Sequence, residues 1–250
     1  MENYRPDFAP ITSDEMYRIE ENGDSIFGMR RVMMMENAGH GVADFIAAKF
    51  RDRLKSRRIV AVCGTGNNGG DAFVASRHLA GYGARPTVIL LGSPSYLRSE
   101  EAKTNWSIIE KMDSIEIIFG SEITPEVKNR ILSASIIIDG IFGTGIKGQI
   151  RDPHGTAIDL INRSKAYVVA VDVPSGLDPN TGQVQDRCVM ADATVTFHRK
   201  KTGLVDRGKD KGNGRKKIGS HSNSKIAKYT GRVYLELIGI PPEAEKTRQA

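Results

Sequence analysis

The 250-residue chain contains no run of about eighteen consecutive apolar residues, the length a helix needs to cross a bilayer, so no transmembrane helix is expected. Its opening residues, Met1-Glu2-Asn3-Tyr4-Arg5-Pro6-Asp7, lack the basic and apolar pattern of a signal or transit peptide. There are 2 cysteines, Cys63 and Cys188, too few for a disulfide framework and without zinc-ligand spacing. A reducing, cytoplasmic compartment is the reading that fits. The histidines, His40, His78, His154, His198 and His221, are scattered and form no catalytic set. No glycine loop is followed by Gly-Lys-Ser or Gly-Lys-Thr, which excludes a P-loop.

What is present is the composition of an ordinary globular domain, 39% hydrophobic and 26% charged. A net charge of +6 suggests a basic protein, but the segment 199–228 alone carries 11 Lys and Arg against Asp206 and Asp210. The remainder is therefore acidic. Residues 206–228 are rich in Gly, Lys, Ser and Asn and read as a mobile, solvated loop between the last two strands. A nucleic-acid role for this segment is disfavoured, because aromatics are not interleaved with its charges.

From Arg58 onward, apolar strands alternate with amphipathic helices. The strands are read at 58–63, 87–91, 115–119, 135–139, 167–172, 193–197 and 233–236, and helices near 71–82, 99–111, 125–132 and 156–162. Two helices precede them. The first runs from the capping box Thr12-Ser13-Asp14-Glu15 to a stop at Gly23, the second from Arg30 to Phe50. Continuous apolar strands separated by helices predict a Rossmann-like, doubly wound α/β sandwich with a mainly parallel sheet. A single domain spans 1–250, with helices at 12–50 and an α/β core at 58–240.

Parallel strands deliver their C-termini to one edge, where ligands bind. Three strand ends carry polar groups there. The first is the turn Gly64-Thr65-Gly66-Asn67-Asn68-Gly69-Gly70-Asp71, whose glycines let backbone N–H groups and a helix N-terminus face phosphates. The second is Asp139 with the glycine loop 143–149, and the third is Asp172 with Val173-Pro174-Ser175-Gly176. One aspartate, beside Asn68 and backbone carbonyls, suits a hard cation, and the other a proton transfer. Lys147 is a candidate for a phosphate or a developing negative charge, or an ordinary loop lysine. Leu90-Leu91-Gly92-Ser93 lacks the ribose-binding acid of a dinucleotide dehydrogenase, which disfavours hydride transfer.

Together, these residues resemble the YjeF N-terminal domain family, whose characterised enzymes are NAD(P)H-hydrate epimerases. The matching pieces are Met35-Glu36-Asn37-Ala38-Gly39, Asn67-Asn68-Gly69-Gly70-Asp71, Asp139-Gly140-Ile141-Phe142-Gly143-Thr144-Gly145, Asp172-Val173-Pro174-Ser175-Gly176-Leu177-Asp178, Ala191 to Phe197 and Gly203-Leu204. The resemblance implies epimerisation of hydrated NADH or NADPH (NAD(P)HX) at C6 of the nicotinamide ring, so that a separate dehydratase can restore the cofactor. It implies that substrate is held by Asn67, Asn68, Gly69, Gly70, Asp71, Gly143, Thr144, Gly145, Ile146, Lys147, Gly148, Gln149 and Asp172. It places a potassium ion on Asn68, Asp139 and Ser175, and makes Asp172 the proton-transferring group. Homodimerisation is left open, and no membrane partner is implied. Ala72 and Asp186-Arg187 depart from the usual family pattern, the first adding a methyl and the second altering a surface turn. A non-catalytic scaffold of the same fold is the alternative.

Overall fold

The structure, a computed structural model, describes residues 9–144, 148–205 and 225–246. Seven strands, β1 (Ile59–Cys63), β2 (Thr87–Leu90), β3 (Glu116–Phe119), β4 (Ile136–Gly140), β5 (Tyr167–Val171), β6 (Ala193–Phe197) and β7 (Arg232–Glu236), form one sheet in the order β3-β2-β1-β4-β5-β6-β7. Every neighbouring pair is parallel. The helices are α1 (Ser13–Phe27), α2 (Arg31–Phe50), α3 (Asn67–Gly81), α4 (Glu100–Ile109), α5 (Pro125–Ser133), α6 (His154–Arg163) and the single turn α7 (Ala227–Thr230).

Strand β1 shows why both faces need cover. Ile59, Ala61 and Cys63 pack into one core with Met16 of α1, Ile46 of α2, Phe73 of α3 and Trp106 of α4. The alternate residues Val60 and Val62 pack into a second core with Val127 and Ile131 of α5 and Ile158 and Ile161 of α6. Successive side chains point to opposite faces, so an unbroken apolar strand buries both, and the three-layer sandwich follows.

Two boundaries differ from the sequence reading. Helix α1 does not stop at Gly23 but continues to Phe27 and ends on Gly28, whose φ of 68° is the left-handed conformation of a helix C-terminus. Gly23 is buried, and a Cβ there would lie 2.8 Å from Met34 Cε. Its missing side chain serves packing between α1 and α2. Helix α3 begins at Asn67, not at 71, so Asn67 to Gly70 form its first turn. Of the segment read as a basic loop, 206–224 lies outside the described residues, and its C-terminal part enters α7.

The connection order reverses between β1 and β4, the switch point at which an open α/β sheet leaves a crevice. The two turns leaving these strands pass very close together. A Cβ on Gly64 would sit 2.1 Å from the Ile141 carbonyl oxygen, and one on Gly69 would sit 2.0 Å from that of Gly64. Those glycines allow β1 to turn directly into α3 beneath the chain leaving β4.

Candidate active site

Two cavities meet above this switch point. The smaller, about 180 Å³, is walled by α1, α2 and the first turn of α3, and is lined by Asn67, Asn68, Asp71, Gly143, Thr144 and Asp172. The larger, about 620 Å³, shares Asn67, Asn68, Gly143 and Thr144 with it and adds Thr65, Gly66, Arg98, Ser99, Phe142 and His154. The cleft therefore crosses the N-terminus of α3, and Ser99, the N-cap of α4, borders it as well.

Of the predicted substrate-binding residues, Asn67, Asn68, Asp71, Gly143, Thr144 and Asp172 come together here. Gly69 and Gly70 lie buried behind the wall, Gly69 against the Gly64 backbone and Gly70 against Met35 and Ala102. Gly148 and Gln149 line neither cavity, and Gly148 N donates to Gln185 Oε1 at 3.3 Å. Gly145, Ile146 and Lys147 lie outside the described residues. Asp186 does more than alter a turn, since its Oδ2 accepts from Ile150 N at 3.0 Å and ties down the chain beyond that loop. Ala72 is fully buried beneath Gly140, where a Cβ would lie 2.6 Å from the Ala72 methyl.

Asp172 follows β5 with φ of 61°, a conformation that costs a non-glycine residue of order 1 kcal/mol and gathers at functional sites. Its Oδ1 accepts from Thr196 Oγ1 at 3.0 Å, Phe197 N at 3.2 Å and Lys201 Nζ at 2.5 Å. Lys201 is 1% exposed, and its ammonium also donates to the Phe197 carbonyl at 3.1 Å. One carboxylate oxygen is thus locked to the protein while the 13% of the side chain left exposed belongs to a cavity-lining residue. Sequence reasoning missed Lys201 because it stands inside the basic run Arg199-Lys200-Lys201, where it looked like one more solvated charge.

Asp139 is fully buried at the end of β4. Its oxygens accept from Ser175 N at 2.8 Å and from Ser175 Oγ at 2.5 Å, joining the turns that follow β4 and β5. Burial pushes its carboxyl up to about 6, against the lowering effect of the Ser175 hydrogen bonds. Ser175 Oγ accepts from Phe142 N at 2.9 Å, and Asn68 Nδ2 donates to the Phe142 carbonyl at 3.0 Å. The Asp139 carboxylate, the Ser175 hydroxyl and that carbonyl therefore form one connected group of oxygens, to which Asn68 is attached through its amide nitrogen. Such an oxygen donor set suits a hard cation far better than zinc. Among the described residues, no three His, Cys, Asp or Glu side chains gather as a metal cluster. The Phe142 carbonyl belongs to the backbone, and no residue type announces it.

Asp71, at the end of the first turn of α3, has its carboxyl pushed well up by burial and then by the charges of Asp172 and Glu20. Cys63 and Cys188 are buried thiols whose acidity burial suppresses, so neither is set up as a nucleophile. His154 stacks on Phe142, with ring centroids 4.9 Å apart, and burial and the Arg98 charge hold its pKa below the usual value.

The fold and the cleft define a class: a Rossmann-like domain with glycine turns at its switch point and carboxylates lining the pocket above it. The family described as YjeF-related protein N-terminus matches residues 31–203, and the chain belongs to it. It is 48% identical to a protein of Cenarchaeum symbiosum named NAD(P)H-hydrate epimerase, over 94% of this chain and 98% of that one. A protein of the same name from Nitrosopumilus maritimus is 43% identical with the same coverage. A Bifunctional NAD(P)H-hydrate repair enzyme Nnr of Pyrobaculum aerophilum is 42% identical over 94% of this chain and 42% of that protein. The crystal structure of yeast ynu0 superposes with a TM-score of 0.69 at 23% identity, covering 78% of this chain and 83% of the yeast chain, and supports the fold alone. No helix among the described residues is long and apolar enough to cross a membrane.

Proposed function

We infer that this protein is an NAD(P)H-hydrate epimerase, an isomerase that interconverts the R and S forms of hydrated NADH and NADPH at C6 of the nicotinamide ring. The observation that carries this reading is Asp172, held in a left-handed backbone conformation with one oxygen clamped and its side chain on the cavity wall. A binding scaffold has no use for a carboxylate so placed. The shared name of two relatives matched nearly end to end supports the same reading.

The chemistry suits such a group. In the substrate, C6 bears a hydroxyl and the ring nitrogen, and its hydrogen is not adjacent to a carbonyl, so removing that hydrogen gains no resonance. Opening the C6–N1 bond requires only that a proton leave the hydroxyl and one reach the nitrogen. Asp172 is the group that receives the hydroxyl proton. The small cavity then takes the hydrated ring, and the larger one, with Arg98 and two helix N-termini, takes phosphates and adenosine. Of the residues the resemblance implies, Asn67, Asn68, Asp71, Gly143, Thr144 and Asp172 are the substrate-binding set of this reading, with Gly69 and Gly70 shaping the wall behind them.

Potassium is the cation this reading assigns to Asn68, Asp139, Ser175 and the Phe142 carbonyl. Bound there, it would supply a fixed positive charge beside an anionic substrate. The S epimer produced is consumed by a dehydratase, the functional partner, in a cytoplasmic setting. The test couples the protein to an S-specific dehydratase acting on racemic NADHX. Both epimers should be recovered faster than spontaneous epimerisation allows, and Asp172→Asn should abolish the acceleration while nucleotide binding persists. Recovery of the R form no faster than without the protein would sink the reading.

A further inference from the structure

The small cavity holds more carboxyl groups than a single proton acceptor requires. Asp172 is clamped by Lys201, and among the described residues its Oδ2 has no protein partner. Glu20 faces the same cavity from α1, on the stripe that also carries Ser13, Met16 and Tyr17, at the spacing that keeps side chains on one helix face. Glu20 has no lysine within ion-pair distance among the described residues. Its nearest cation is Arg31, at 3.6 Å, and the Arg31 guanidinium makes its close hydrogen bond, 2.6 Å, to Glu21 instead. Residue 20 also precedes the segment 31–203 that defines the family match.

We propose that Lys201 divides the two carboxyl groups by role: it holds Asp172 as the proton acceptor, and Glu20, which it does not clamp, is the proton donor to the ring nitrogen. The proposal rests on the epimerase reading. Asp172 takes the proton of the C6 hydroxyl as that oxygen becomes an aldehyde carbonyl. The C6–N1 bond breaks, its electron pair goes to N1, and N1 takes the proton of Glu20. After rotation of the aldehyde, N1 attacks the opposite carbonyl face, returns its proton to Glu20, and the oxygen recovers the proton held by Asp172. Nothing is oxidised or reduced, and both carboxyl groups end as they began.

The surroundings of Glu20 agree with a donor. Although 30% of its side chain is exposed, burial pushes its carboxyl up to about 7; Asp172 and Glu101 add to the rise, and Lys201 and Arg31 oppose it. Asp71, from α3, and Glu101, from α4, are the other carboxyl groups on this cavity. Pairs of titratable groups driven apart by environment are how one pocket supplies an acid and a base together. A donor must be protonated, so the rate should fall as pH rises through its pKa.

The experiment measures kcat and KM against pH for the full chain with purified R-NADHX, using the wild type, Glu20→Gln, Glu20→Asp, Lys201→Met and Lys201→Arg. Glu20→Gln should lose about 10²-fold in kcat with KM nearly unchanged, and the basic limb of the profile should vanish. Glu20→Asp, which keeps an acid at longer reach, should retain that limb at reduced kcat. Lys201→Met should lower kcat, and Lys201→Arg, which keeps the cation beside Asp172, should restore most of it. Glu20→Gln with kcat within about threefold of wild type, or with the basic limb intact, would overturn the proposal. So would a basic limb that disappears only in Asp71→Asn. A wild-type protein that does not accelerate epimerisation at all would instead remove the reading beneath it, so the two failures are distinguishable.

Discussion

At the scale of single residues, the cavity concentrates carboxyl groups at a cost to the fold. Asp71 binds a proton in the native state that it has lost in the unfolded chain, because burial and two neighbouring carboxyl groups raise its pKa. The native state therefore holds more protons above the ordinary aspartate value, and stability declines as pH rises through the raised one. Asp71→Asn removes that burden. It should raise the melting temperature relative to wild type at pH 8, with the difference shrinking towards pH 4, and it should weaken epimerisation. Thermal melts across that range check the sign, and a variant less stable than wild type at pH 8 would contradict it. The same scale shows what the sequence hid. Asp172, Asp139 and Ser175 were legible because each ends or follows an apolar strand. Lys201 was not, since its burial depends on the turn after β6 folding back under Asp172. Glu20 stands in no motif, and only the packing of α1 over the cleft brings it to the cavity wall.

At the scale of elements, β4 and β5 are joined at their C-terminal ends by Asp139 and Ser175, and the first turn of α3 is joined to them through Asn68 and the Phe142 carbonyl. The strands and their order of alternation were readable from apolar runs alone. The start of α3 was not, because Asn67-Asn68-Gly69-Gly70 has poor helix propensity, and tertiary fit overrides it. Gly69 must pass the Gly64 carbonyl, a constraint set by β1 and invisible locally. The junction makes a measurable prediction. If its oxygens hold potassium, the wild type should melt at a higher temperature in potassium chloride than in choline chloride at equal ionic strength. Asp139→Asn leaves a buried amide facing the Ser175 N–H or hydroxyl without a matching acceptor, at a cost of about 2–4 kcal/mol. It should melt lower than wild type and show no difference between the two salts. A salt difference that survives in Asp139→Asn would move the cation elsewhere.

At the scale of the whole molecule, the proposed function divides the cleft between chemistry and binding. Asp172, Glu20 and Asp71 belong to the small cavity, whereas Arg98 and His154 belong to the large one, and Asn67, Asn68, Gly143 and Thr144 form the threshold between them. Arg98 is held by its backbone to the first glycine turn, its N donating to the Thr65 carbonyl at 3.0 Å, so its place on the wall of the large cavity is fixed by the fold of β1 into α3. A charge there attracts the substrate's phosphates equally in the ground and transition states. Interactions of that kind lower KM without raising kcat. Arg98→Gln should therefore raise KM about tenfold, leave kcat within about threefold, and flatten the dependence of KM on salt, because one screened phosphate contact has been removed. Glu20→Gln should show the opposite division, a loss in kcat with KM held. Steady-state kinetics of both variants at two ionic strengths would reveal whether the two cavities serve one substrate in these separate ways. A fall in kcat for Arg98→Gln as large as its rise in KM would mean that phosphate binding and ring chemistry are not separable across the threshold.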